Sequence, residues 1–92
     1  MHIRWTSLAL EDLKRISVRI ERERNLASAN GVCRAIYNTI QILRRFPESG
    51  KAGIEEGTRE FVVPKLPYVI AYRLRGPGAV EILRIWHGAQ DR

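Results

Sequence analysis

A single cysteine, Cys33, rules out an internal disulfide and any zinc site built from several thiolates, and it suits a reducing compartment. The two histidines, His2 and His87, stand at opposite ends of the sequence and form no ligand spacing, so no metal is expected. Phosphate-loop and dinucleotide-binding glycine patterns are missing, and the GPG at 76–78 reads as a turn, so no cofactor is expected either. No nucleophile, base and orienting group can be assembled into a hydrolytic triad; Cys33 sits beside an apolar helix stripe as a small core residue. No apolar run approaches the ~20 residues of a membrane span, and MHIRWTSLAL lacks the apolar core of a secretory signal. A cytoplasmic protein with no membrane association is expected.

Charge is present, and its balance is positive. Sixteen Lys and Arg stand against ten Asp and Glu, a net +6, and only Lys14, Lys51 and Lys65 are lysine. Arginine offers a planar, permanently charged fork that matches phosphates and carboxylates. A basic module of this size meets nucleic acid or an acidic protein partner, or simply carries a solubilising surface. With 45% hydrophobic residues and four prolines the chain is a folded module, and 1–92 is expected to be a single domain with one thin core.

HIRW, residues 2–5, reads as a short strand. Thr6 or Ser7 then caps a helix, with Ala9, Leu13, Ile16 and Ile20 as its apolar face and a charged run from Lys14 to Arg24 as its solvated one. Asn25 to Ser28 caps a second helix, striped by Val32, Ala35 or Ile36, Ile40 and Leu43 and ended by Pro47. A polar loop with three glycines fills 47–58. Three β-branched and aromatic segments follow, Arg59–Val63, Tyr68–Arg75 and Ala79–His87, separated by PKLP and RGPG turns. The predicted order is βααβββ, an α+β domain whose N-terminal helical hairpin packs on one face of an antiparallel sheet.

Cations and aromatics gather on the strands. Arg59 opens the first strand of the meander, Arg73 lies on the second, and Arg84, Trp86 and His87 lie on the last. Arginines in this position can grip a phosphodiester, and a histidine can protonate a leaving oxygen. Equally, Arg73 and Arg84 can pair with carboxylates such as Glu60 and Glu81 on neighbouring strands. Strict alternation places Ile82, Arg84 and Trp86 on one face, with Leu83, Ile85 and His87 on the other.

The segments WTSLALEDLKRI, RRFPESGKAG, EGTREFVVPKLPYVIAYRL and VEILRIWHGAQDR together resemble the RelE/ParE superfamily of bacterial type II toxins, in the same order and over nearly the whole chain. The resemblance implies the βααβββ fold, a growth-inhibiting toxin neutralised by a small cognate antitoxin, and a toxin–antitoxin hetero-oligomer. Its two branches imply different targets. A ParE-like toxin poisons DNA gyrase without cleavage chemistry, its contact residues here being Arg59, Arg73, Arg84 and Arg92. A RelE-like toxin cuts mRNA on the ribosome, with His87, Arg59 and Arg84 as the catalytic set. GTRE followed by PYVIAYR and the HGAQD ending are closer to the ParE-like branch. Glu60, Phe61 and Val62 stand where RNA cutters carry closely spaced lysines, and no tyrosine follows Tyr72. An acidic, partly disordered antitoxin suits a +6 toxin, and its expected contacts are Leu13, Ile16, Ile20 and Ile40 on the hairpin.

Overall fold

Two side chains start the helices as their sequence positions require. In the computed structural model, which describes residues 1–89, Thr6 Oγ1 accepts from the Ala9 N–H at 3.1 Å and Asn25 Oδ1 from the Ser28 N–H at 2.7 Å. Each contact meets a backbone donor that the first helical turn leaves without a partner. Helix α1 (Ser7–Glu23) and helix α2 (Leu26–Arg45) are preceded by strand β1 (His2–Trp5) and followed by β2 (Lys51–Ala52), β3 (Arg59–Val62), β4 (Tyr68–Arg75) and β5 (Ala79–His87). The sheet order is β1-β5-β4-β3-β2.

The α+β class and the element order are those expected, with two refinements. β1 pairs parallel to β5, so the sheet is mixed, and the glycine-rich loop contributes the two-residue edge strand β2. Strand periodicity carries no partner information, and a helical hairpin separates β1 from every other strand, so its pairing was hidden. The β2–β3, β3–β4 and β4–β5 pairs are antiparallel.

Ile16 and Ile20 of α1 and Ile36, Ile40 and Leu43 of α2 close over Tyr68, Ile70, Tyr72, Val80, Ile82 and Ile85 of the sheet in one apolar cluster. Each such side chain, fully buried, contributes about 1.5–3 kcal/mol by leaving water. Register shows how β5 keeps its apolar residues inward. Ala71 faces Arg84 while Tyr72 faces Ile82, so Leu83 is an extra, bulged residue. Val80 and Ile82 point to the helices before it, Ile85 and His87 after it. The bulge therefore corrects the strict alternation: Ile82 shares a face with Ile85 and His87, while Arg84 and Trp86 share the opposite face with Glu81.

At the far side of the sheet Tyr72 is fully buried, and its hydroxyl donates to Pro47 O and accepts from the Gly50 N–H, both at 2.8 Å. Gly50 has no alternative there, because a Cβ would lie 2.5 Å from the Tyr72 oxygen. This latch ties the end of α2 to the sheet.

Candidate functional site

The end of β5 outruns its neighbour. β1 pairs with β5 only as far as Ile82, so the next backbone groups on that edge need partners from elsewhere. The start of α1 supplies them. Thr6 N–H donates to Ile82 O at 3.1 Å and Thr6 Oγ1 donates to Leu83 O at 2.8 Å. Asp12, one and a half turns further on, accepts from the Ile85 N–H through Oδ2 at 2.9 Å. A helix thus replaces the missing strand.

Asp12 also gathers charge. Arg84 donates to it through Nε at 2.8 Å and through Nη2 at 3.1 Å, a two-pronged grip, and Arg15 adds a contact at 3.1 Å. The Asp12 carboxylate is 3% exposed, whereas the Arg84 and Arg15 side chains are 49% and 69% exposed. Burial pushes the Asp12 carboxyl up, but the hydrogen bonds from Arg84 and Ile85, the Arg84 charge and Arg15 together outweigh it and hold the group below the ordinary carboxylate range. The same Asp12 hydrogen bond raises the Arg84 guanidinium.

A recess of about 120 Å³ opens at this joint, lined by Arg15, Ile16, Arg19, Tyr68, Trp86 and His87 beside the Asp12–Arg84 pair. Arg19 Nη2 donates to the Tyr68 hydroxyl at 3.3 Å, and Tyr68 meets the His87 ring edge-on, centroids 5.6 Å apart at 81°. By register Arg84 and Trp86 lie opposite His87, yet the Arg84 guanidinium turns over the strand edge to Asp12, so all three border one recess.

The other arginines singled out from the sequence are held elsewhere. Arg73 and Arg75 both bond Glu81 Oε1, at 3.0 and 3.1 Å, on the sheet face away from the helices. The Arg73 hydrogen bond is the main cause that holds Glu81 below its ordinary value. Arg59 Nη1 donates to the carbonyls of Glu48 and Gly50, at 3.2 and 2.9 Å, beside the Tyr72 latch. Carboxylate pairing is thus realised for Arg73 with Glu81, as anticipated, and for Arg84 with Asp12 in place of a strand neighbour. Arg92 lies outside the described residues.

The hairpin residues expected to meet an antitoxin sit in the core. Ile16 and Ile20 are each 8% exposed and Ile40 is 1% exposed, and Leu13 packs partly buried against the same cluster. Their three- and four-residue spacing marks the face that binds the sheet, so Ile16, Ile20 and Ile40 offer no outward surface and Leu13 only part of one. From the sequence Asp12 reads only as an acid favoured by the helix dipole and not as a site residue, although a signal existed: it stands three residues after Ala9 and four before Ile16, inside the buried stripe, where an acid requires partners. Among the described residues, no three His, Cys, Asp or Glu side chains come together as metal ligands, and no helix is long and apolar enough to cross a membrane.

Comparison with known proteins gives a consistent answer. Residues 3–92 match the family model described as ParE toxin of type II toxin-antitoxin system, parDE. The chain is 40% identical over 89 residues to a Sinorhizobium fredii (strain NBRC 101917 / NGR234) protein named "Putative toxin Y4kP", covering 97% of this chain and 90% of that one. A solved structure titled "Chromosomal ParDE TA system from P. aeruginosa" superposes with a TM-score of 0.85 at 22% identity over 95% of each chain, a likeness of fold.

Proposed function

Because the chain belongs to the ParE toxin family of type II toxin–antitoxin systems, we propose that it arrests growth in the cytoplasm by binding DNA gyrase, and that a small cognate antitoxin neutralises it. The reading is of a binding protein, with no bond-breaking step of its own.

The observation that carries it is the separate engagement of the arginines an RNA cutter would need together. Arg59 clamps a loop, Arg73 is bonded to a carboxylate on the open sheet face, and Arg84 is committed to a buried aspartate. Stabilising a cleaving phosphodiester needs preorganised donors aimed at one developing charge. His87 borders the recess with Arg84, but that guanidinium is already held by both oxygens of the Asp12 carboxylate.

The test uses purified chain and purified gyrase. Supercoiling is expected to fall with added chain, and brief expression is expected to induce a DNA-damage response. Unaltered supercoiling at saturating chain refutes the gyrase reading, and ribosome-dependent cuts in a reporter mRNA support the alternative of mRNA cleavage. Co-elution with the small protein encoded beside the chain's gene tests the antitoxin half independently.

A further inference from the structure

The recess between α1 and the end of β5 has a composition that its structural duties do not use up. Asp12 saturates its own needs with Arg84, Arg15 and Ile85. Arg15 gives Asp12 one contact and Arg19 gives Tyr68 one, while a guanidinium carries five N–H donors. Both residues are exposed on α1, and they border the recess from one side. Three guanidinium groups, Arg15, Arg19 and Arg84, thus line the recess with the one carboxylate of Asp12, and Glu11 acts on Arg84 from outside the lining. The balance at the recess is positive.

Size and walls narrow the occupant. About 120 Å³ of recess, open to solvent, has room for an oxyanion with a short stem. Ile16, Ile85 and Trp86 form apolar wall beside the cations, suited to a methylene stem. A forked guanidinium matches a planar carboxylate by two parallel hydrogen bonds.

We propose that this recess is a receptor for a single acidic side chain, glutamate or aspartate, presented by a protein partner, with Arg15 and Arg19 gripping the carboxylate and Trp86 flanking its stem. It rests on the antitoxin reading for the identity of that partner. It gives the partner one anchoring carboxylate at the joint between helix and sheet, in place of the buried Ile16, Ile20 and Ile40 and the half-buried Leu13.

The chain is titrated at low ionic strength with N-acetyl-glutamate methylamide, its glutamine counterpart and inorganic phosphate, following the Trp86 indole N–H and the Arg15 and Arg19 Nε–H resonances. Saturable shifts are expected with the glutamate probe, at least ten-fold weaker with glutamine and with the Arg15→Ala/Arg19→Ala variant. Arg19→Ala alone, which leaves the Asp12 pair whole, is expected to bind at least three-fold more weakly. Equal responses to glutamate and glutamine, or no saturable shift, overturn the proposal. Tighter binding of phosphate than of glutamate also overturns it and assigns the recess to nucleic acid. If the wild-type chain co-elutes with the neighbouring small protein and the double variant does so with undiminished affinity, the recess assignment fails while the antitoxin reading stands. If the wild-type chain does not co-elute, it is the antitoxin reading that fails.

Discussion

Replacing Asp12 by alanine removes the joint between α1 and β5, and its cost can be worked from the contacts. The buried Ile85 N–H loses its acceptor, which costs about 1–3 kcal/mol. Breaking a fully buried ion pair by deleting one partner costs about 3–5 kcal/mol, but here Arg84 and Arg15 are about half and two-thirds exposed and can turn to water. The expected loss is therefore about 2–4 kcal/mol, or roughly 10–25 °C in Tm for a domain of this size. Arg84→Met is expected to cost less, about 1–2 kcal/mol, because Asp12 keeps Ile85 and Arg15. Urea and thermal unfolding of the two variants and the parent give the comparison. Acid titration supplies a second arm. A carboxyl held below its unfolded value contributes stability that is complete above that value, near pH 4, and is lost as pH falls through the lower folded value. Glu81 acts in the same direction, so the Asp12 share is the difference between the parent and Asp12→Asn profiles. A loss under about 0.5 kcal/mol for Asp12→Ala, the level of an ordinary surface change, refutes the joint, as does a larger loss for Arg84→Met.

Tyr72→Phe deletes the hydroxyl that holds Pro47 and Gly50 and is expected to lower unfolding stability by about 1–3 kcal/mol in urea titrations. Gly50→Ala drives a Cβ against the same oxygen and is expected to lower Tm by an amount equivalent to about 1–3 kcal/mol. Ile40→Ala opens a core cavity and is expected to cost about 2–5 kcal/mol of stability, so any loss of antitoxin binding should track the unfolded fraction seen by circular dichroism. His87→Ala is expected to leave growth arrest intact when expressed without antitoxin; loss of arrest by a folded variant overturns the binding-only reading.

Much of the architecture was legible because it rests on local chemistry. Thr6 and Asn25 announce helix starts through side chains that accept from the first turn, and the PKLP and RGPG turns separate β3, β4 and β5. Long-range pairing was not legible. Nothing near HIRW says that β1 joins β5, and nothing near Leu83 says that β5 bulges there, because both depend on what lies across the sheet. The site suffered most from this. Arg59, Arg73 and Arg84 look alike in sequence, and their separate partners, two carbonyls, Glu81 and Asp12, are set by topology. The apolar spacing of Leu13, Ile16, Ile20 and Ile40 was legible as a face, but it is the sheet that covers it.

The net charge divides in the same way. α1 holds Lys14, Arg15, Arg19 and Arg22 against Glu11, Asp12, Glu21 and Glu23, a balanced set, while α2 holds Arg34, Arg44 and Arg45 with no acid at all. Half of the net +6 therefore sits on one helix, next to exposed Tyr37, Ile42 and Phe46. A cation bonded to an internal carboxylate, as Arg73 and Arg84 are, adds little to the field that a distant partner meets, whereas an unbalanced helix adds its full charge. On the proposed reading of an acidic antitoxin, long-range attraction and close recognition are then carried by different surfaces: the charge of α2 would draw the partner in, and the recess at the α1–β5 joint would discriminate by its carboxylate.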